Sequence, residues 1–432
     1  MNRVAIDAMP AATGSPGASR QARLLLLGTG TVGSAFVERW RQLEKNGLTL
    51  PRFHALANSR TAAACGAQPA EALRVANQVP RATPGRSLDG SSRGGSNLNE
   101  SNLSKSSLSG SSLSESSLSE SSPCGSGHGR DAFLHHPIAA MAAPTGAVSL
   151  AEGLASPRPG DIVIDATASD LVASRHAHWL ARGIHVVTAN KLGNGADLPR
   201  AQAIVRAQRE GGAQYGDSAT VGAGLPLLRS IRALVAGGDR IHAVEGVLSG
   251  SLGWLFNHYD GERPFSDLVR EARDAGYTEP DPRIDLSGED VRRKLLILAR
   301  AANLPLDAGD IRVDSLVPEA LARADAGAVD GLLPALDAPL GMRYRQAHRE
   351  GARLRFVGRF EADAKGRVVA DVGLRALPAD HALCGGSGTD NRVAISSDRY
   401  RAQPLVVQGP GAGAEITAAA LLDDVIGIAQ LQ

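Results

Sequence analysis

Residues 23–33 read RLLLLGTGTVG, and this stretch decides the fold. Arg23 to Leu27 is a short apolar run ending in Gly28-Thr29-Gly30-Thr31-Val32-Gly33. Ala35, Phe36, Val37 and Trp40 then suggest an amphipathic helix that runs to about Asn46. The order is strand, tight glycine turn, helix. Gly28 permits the turn, Gly30 lets the backbone approach a pyrophosphate, and Gly33 lets the helix pack close to the strand. The glycine pattern alone is weak evidence. Its place, at the first strand of the chain and opening a helix, is what a dinucleotide-binding fold requires.

The next strand is expected at Arg52 to Ala57, and its end is the usual place to read the adenosine ribose. An acid there suits the 2′-hydroxyl of NAD, whereas polar and basic groups suit a 2′-phosphate. The residues are Asn58-Ser59-Arg60, with no acid. NADPH is therefore expected ahead of NADH, with Arg60 as the phosphate contact unless it is merely a solvated loop arginine.

Composition bounds the partners. The 432 residues carry 46 Lys and Arg against 45 Asp and Glu, so nothing biases the chain toward nucleic acid or membrane, and a small-molecule partner is expected. The length suffices for two packed domains. The three cysteines, Cys65, Cys124 and Cys384, form no C-x-x-C pair, which indicates neither a zinc site nor a disulfide framework and fits a reducing cytoplasm. Residues 1–20 read as a loose tail with no signal peptide or membrane span. From about Thr83 to Arg130 the chain is mostly Ser and Gly, with Leu98, Leu103, Leu108, Leu113 and Leu118 at a five-residue period that fits neither helix nor strand. A disordered insertion over about 84–130 with no catalytic role is expected.

Order returns with the apolar strand Asp161 to Thr167, followed by a helix to Ala181, Gly183 as its stop, and a strand from Ile184 to Thr188. Ligands bind at the carboxyl ends of strands in an open parallel sheet, so Thr167 and Lys191 fall where a nicotinamide and a substrate would meet. Farther on, residues 276–294 read GYTEPDPRIDLSGEDVRRK, with five carboxylates, two prolines and one lysine around an expected helix start. Glu279-Pro280-Asp281-Pro282 is a rigid loop, because each proline pushes its predecessor toward extended geometry. A helix is expected from Ser287, with Val291, Leu295 and Leu298 on one face and Asp290 one turn from Lys294. The bland reading is a capping box of Ser287 and Asp290 beside an ordinary ion pair. The sharper one is an active-site wall in which Glu279 stands beside a lysine held by Asp290.

This stretch closely resembles the signature of homoserine dehydrogenases, and the likeness runs from Leu24 to Gln430. It is nearest to the group without a regulatory tail, which includes the dehydrogenase half of bifunctional aspartokinase/homoserine dehydrogenases. The resemblance implies an NADPH-dependent reduction of L-aspartate 4-semialdehyde to L-homoserine, on the way to threonine and methionine. It implies Lys294 as proton donor, oriented by Asp290, and a role for Lys191 beside cofactor and substrate. Glu279, Asp285, Asp290, Tyr277, Ser249, Gly250 and Ser251 are implied as substrate contacts. Gly28, Gly30, Thr31, Val32, Gly33, Asn58, Arg60, Thr167, Lys191, Gly276 and Gly413 are implied for the cofactor. Relatives hold a monovalent cation such as Na+ with a glutamate and with carbonyls that match Val221, Ala223 and Leu225. Here Ser218 stands where the glutamate is expected, so Asp217 substitutes, a water fills the gap, or the site is weakened.

The expected fold is α/β: a Rossmann-type parallel sheet domain over 21–214, then an α+β catalytic and dimerisation domain with a mixed sheet over 215–404. A last helix, Glu415 to Ala429 within 405–432, returns to the nucleotide domain. The mixed sheet draws on His242 to Leu248, Leu354 to Phe360, Arg367 to Leu374, Arg392 to Ser396 and Pro404 to Gln408. A homodimer or higher oligomer is implied, and inhibition by threonine through an appended domain is not. Two other readings compete: a nucleotide-binding sensor without turnover, motivated by Ser218 and the serine-rich insertion, and a semialdehyde dehydrogenase with a thiol nucleophile.

Overall fold

The computed structural model describes residues 22–65, 68–78 and 157–431. The expected tail, the serine-rich insertion and Cys124 lie outside them. β1 (Arg23–Leu27) turns through the glycines into α1 (Thr31–Lys45), followed by β2 (Arg52–Ala57), β3 (Ala62–Ala64) and α2 (Pro69–Gln78). From 157 onward come β4 (Ile162–Asp165), α3 (Asp170–Ala173), α4 (His176–Ala181), β5 (His185–Thr188), α5 (Leu198–Gly211) and β6 (Tyr215–Gly216). These strands form one sheet in the order β3-β2-β1-β4-β5-β6. All its pairs are parallel except β2 with β3. The strand order reverses beside β1, and this opens a crevice at the carboxyl ends of β1 and β4.

The four leucines of β1 show why the run is unbroken. Leu24 and Leu26 pack into a core with Phe36, Val37 and Trp40 of α1, while Leu25 and Leu27 face Trp179, Leu180 and Ile204 on the other side. A parallel strand covered on both faces has no polar side to show. Each fully buried residue of this kind contributes about 1.5–3 kcal/mol. The glycine turn is equally determined. Gly28 has φ +97°, and a Cβ on Gly33 would stand 1.9 Å from the Gly28 carbonyl oxygen, so α1 can lie this close to β1 only with glycine.

The chain then builds α6 (Leu227–Ala236), β7 (Ile241–Val247), α7 (Gly250–His258), α8 (Phe265–Asp274), α9 (Arg283–Leu286), α10 (Glu289–Ala301) and β8 (Ile311–Val313). Short α11 (Glu319–Ala322) and α12 (Val329–Leu332) precede α13 (Asp337–Arg349), β9 (Ala352–Ala362), β10 (Val368–Pro378), β11 (Asp390–Ser397), β12 (Leu405–Pro410) and α14 (Ala414–Ala429). A second sheet runs β12-β11-β7-β9-β10-β8 and is mixed, since only β8 pairs in parallel. Leu252 and Leu255 of α7, Val291, Leu295 and Leu298 of α10, and Phe356 and Phe360 of β9 share its largest core. Leu421, Leu422 and Val425 of α14 belong instead to the core of Leu24, Phe36 and Ile164, so the last helix covers the first sheet.

One expectation fails locally. The helix carrying Asp290 does not begin at Ser287 with a capping box. α9 occupies Arg283–Leu286, Ser287 follows it and donates its hydroxyl to the Ile284 carbonyl, and α10 starts after Gly288. Gly288 has φ +78°, and a Cβ there would sit 2.9 Å from the Phe356 ring, so packing against β9 forces a break where the local pattern suggests continuity.

Candidate active site

A cavity of about 940 Å3 opens where the ends of β1, β4 and β5 face α7, α10 and the start of α14. It gathers Thr31, Val32, Thr167, Lys191, Gly276 and Gly413 of the expected cofactor set with Ser249, Gly250, Ser251, Tyr277, Asp285, Asp290 and Lys294. Glu279 is not among them: its side chain is exposed, and its amide donates to Asp285 Oδ2 at 2.9 Å. Gly28, Gly30 and Gly33 shape the turn below the cavity. Asn58 closes that turn from the side, donating to Thr29 Oγ1 and the Ala76 carbonyl while accepting from the amides of Arg60 and Thr61. Arg60 is exposed beyond it.

The charged wall comes from α10. Lys294 is buried and donates to the Leu248 carbonyl at 2.7 Å and to Asp290 Oδ2 at 2.9 Å. Lys191, at the end of β5, reaches the other carboxylate oxygen at 3.5 Å. One carboxylate thus bridges two ammoniums. Burial alone would raise the Asp290 pKa, but the Lys294 and Lys191 charges overcome it and hold the carboxyl down at about 2. The Lys191 pKa is also shifted down, despite that partner. Burial lowers its pKa and Lys294 adds to this, against the pull of Asp290. Asp285 accepts from Ser251 Oγ at 2.7 Å, and Ser251 in turn meets Ser249 Oγ, the cap of α7, at 2.9 Å. Tyr277 lies tilted against Trp254, with ring centroids 5.3 Å apart.

The opposite wall rests on a largely buried network that the sequence alone does not reveal. Asp165 closes β4 and accepts from the Thr167 amide at 2.9 Å, Thr167 Oγ1 at 2.6 Å, Asn190 Nδ2 at 2.9 Å and His176 Nε2 at 3.0 Å. The other ring nitrogen of His176 meets the Tyr215 hydroxyl at 3.0 Å. Burial raises the Tyr215 pKa well above the usual phenol value, so that hydroxyl keeps its proton. Thr167 and Asn190, which line the cavity, are thereby fixed in place. Arg293, beside Lys294, also lines it and was not foreseen. Its only sequence signal was its neighbour.

The expected cation position is differently furnished. Asp217 is already engaged: Arg232 takes both its oxygens, at 2.6 and 2.9 Å, and Asn194 adds a bond at 2.7 Å. Ser218 donates its amide and hydroxyl to Asp424 of α14, at 3.0 and 2.8 Å. Ala223 lines the cavity, Val221 is buried, and the Leu225 carbonyl accepts from Leu227 at 2.8 Å. Among the described residues no group of three or more His, Cys, Asp or Glu side chains is placed to hold a metal ion, and no helix is long and apolar enough to cross a membrane. Burial pushes the Cys65 thiol up to about 12 and raises that of Cys384, so neither supplies a thiolate near neutral pH.

Comparisons with known proteins point to one family. The family model described as homoserine dehydrogenase matches residues 226–426, and that described as its NAD binding domain matches residues 124–216. A bifunctional aspartokinase/homoserine dehydrogenase 2 of Zea mays is 44% identical over 272 residues, covering 63% of this chain but 29% of that protein. The chain thus spans less than a third of the length of this bifunctional relative. A hyperthermophilic archaeal homoserine dehydrogenase solved with NADPH has the same fold, with a TM-score of 0.62 at 18% identity over 95% of this chain and 98% of that one. The homoserine dehydrogenase of Schizosaccharomyces pombe is 40% identical over 63% of this chain and 73% of its own length. By that coverage, the chain belongs to the homoserine dehydrogenase family.

Proposed function

We propose that the protein reduces L-aspartate 4-semialdehyde to L-homoserine with NADPH in a reducing cytoplasm. The observation that carries this reading is the pair of ammoniums in the cavity that share Asp290. The residues present fit a dinucleotide. Gly30 caps α1 without a side-chain bond, a Cβ there would meet no protein atom within 4 Å, and the first turn of α1 holds no acid. Backbone N–H groups at a helix start are suited to a pyrophosphate. No acid follows β2, and the exposed Arg60 stands near its end, which favours the 2′-phosphate of NADPH over NADH. When bound, the nicotinamide supplies the hydride that turns the aldehyde into an alkoxide.

The chain supplies the proton and the positions. An ammonium has three donors, and Lys294 spends two on Leu248 and Asp290, leaving one for the substrate oxygen. Asp290 keeps that lysine oriented, and Lys191 adds positive charge at the same end or holds the substrate carboxylate. Asp285, the other acid on the cavity wall, takes the substrate ammonium beside Ser251. Tyr277, Ser249 and Gly250 complete the substrate wall, and Thr31, Val32, Thr167, Gly276 and Gly413 face the cofactor. The residues do not fit a resident cation, because the acids near Ser218 are already held by Arg232, Asn194 and Ser218 itself, so no step uses one. A homodimer formed through the second sheet belongs to the same proposal, and a light-scattering mass twice that of the chain supports it.

The test is the loss of NADPH absorbance with aspartate semialdehyde, repeated with NADH and in sodium, potassium and a bulky organic cation. Rapid loss that is faster with NADPH and indifferent to the cation is expected. Tight NADPH binding with no turnover would overturn the enzyme reading and restore the non-catalytic one.

A further inference from the structure

A second cavity, of about 810 Å3, lies away from the catalytic one. Its walls are α5 from the first sheet's layer, α6, and the carboxyl end of α10 with the turn after it. Sites between structural layers are frequent ligand positions. Four arginines line the cavity, Arg206, Arg209, Arg232 and Arg300, and no aspartate or glutamate does among the described residues.

The four differ in what they already hold. Arg232 is paired with Asp217 through both oxygens. Arg300 is half-buried, spends its donors on the carbonyls of Asn194, Ala196 and Leu306, and lies 3.8 Å from Asp307. Those two build the walls. Arg206 and Arg209 are exposed, stand three apart on one face of α5, and have no hydrogen-bond or ion-pair partner among the described residues. Beside them the lining turns apolar: Val205 is 42% exposed, and Val235, Leu304 and Pro305 continue the surface. Two free guanidiniums beside an apolar strip match an anionic head on a short organic body. A guanidinium binds carboxylate or phosphate oxygens in bidentate fashion and is more weakly hydrated than an ammonium, so it gives up less on binding.

We propose that this cavity binds a small organic anion bearing two or more carboxylate or phosphate oxygens, with Arg206 and Arg209 as its direct ligands. The site is separate from the catalytic cavity, since the two share no lining residue.

Calorimetric titration of the full chain with inorganic pyrophosphate, and separately with citrate, tests the proposal against the double variant Arg206→Gln/Arg209→Gln. Both side chains are exposed, so the variant should fold, and its basal turnover should match wild type. The wild type should bind at least one of the two anions, and the variant should bind it about tenfold or more weakly, as the loss of charge-assisted bonds requires. Binding of pyrophosphate alone or citrate alone would support the site and identify its head group. Binding of neither anion overturns the proposal. So does binding that the double variant leaves unchanged, as attachment at the glycine turn or the lysine pair would.

Discussion

The two walls of the catalytic cavity are held in different ways. At the ends of β4 and β5, Asp165 is completely buried, and four donors from Thr167, Asn190 and His176 occupy its oxygens. At the start of α10, Asp290 is half-buried, with 43% of its side chain exposed, and is shared by two ammoniums, one of them bonded at 3.5 Å. The first arrangement has nothing left to offer a ligand and serves to fix shape. The second keeps donors in reserve and a local excess of positive charge. A carboxylate that has satisfied its neighbours stabilises the fold, and an ammonium with a donor to spare acts on a substrate.

The sharpest way to break this contrast is Lys294→Ala. If the α10 wall does the chemistry, turnover should fall about 100-fold to 10,000-fold, the range for a positioned proton donor, with a smaller change in KM. Steady-state kinetics at saturating NADPH measure both. Near-normal turnover would remove Lys294 from the mechanism. Asp165→Asn should show the converse. An amide oriented to accept from Thr167 turns its own donors toward Asn190 and His176, leaving buried donors without an acceptor and costing about 3 kcal/mol. Denaturant unfolding should show that loss, and at a temperature where the variant is folded its turnover should drop far less than that of Lys294→Ala. A variant that kept its stability and lost its chemistry would reverse the roles assigned to the two walls.

The contrast also explains what the sequence could show. The first strand, its glycine turn and α1 are legible because their pattern is local: an unbroken run of leucines, and a Gly33 that must lie against the Gly28 carbonyl five residues earlier. β2 falls on the expected Arg52–Ala57 for the same reason. The Asp290–Lys294 pair is legible because the two residues are one helical turn apart. The Asp165 network is not, because its partners lie 11 and 25 residues away and meet only when β4, β5 and α4 assemble. Ser287 misled for a related reason. Its spacing to Asp290 matches a cap, but the Phe356 ring that makes Gly288 break the helix comes from β9, far along the chain. Ser218 was noticed as a departure, and its partner Asp424, 206 residues on, could come only from the fold.

The smallest expected effect concerns pH and separates the two lysines. Asp290, held down at about 2, stays charged throughout the working range, so it cannot produce an acid limb near neutrality. Lys191 is different: burial lowers its pKa, so it sheds its proton at a lower pH than an ordinary lysine, whose value is about 10.4. The cationic form is the one that binds, and it is lost as pH rises. The kcat/KM profile for the semialdehyde should therefore decline on its alkaline side before an ordinary lysine would titrate. Replacing Lys191 by arginine, which stays protonated, should move that decline to higher pH even if the new side chain fits less well and lowers the plateau. Removing the carboxylate with Asp290→Asn should move it to lower pH, because Asp290 is the partner that favours the charged lysine. An alkaline limb that stays in place in both variants would mean that Lys191 does not titrate in the working site, and the shared carboxylate would then serve Lys294 alone.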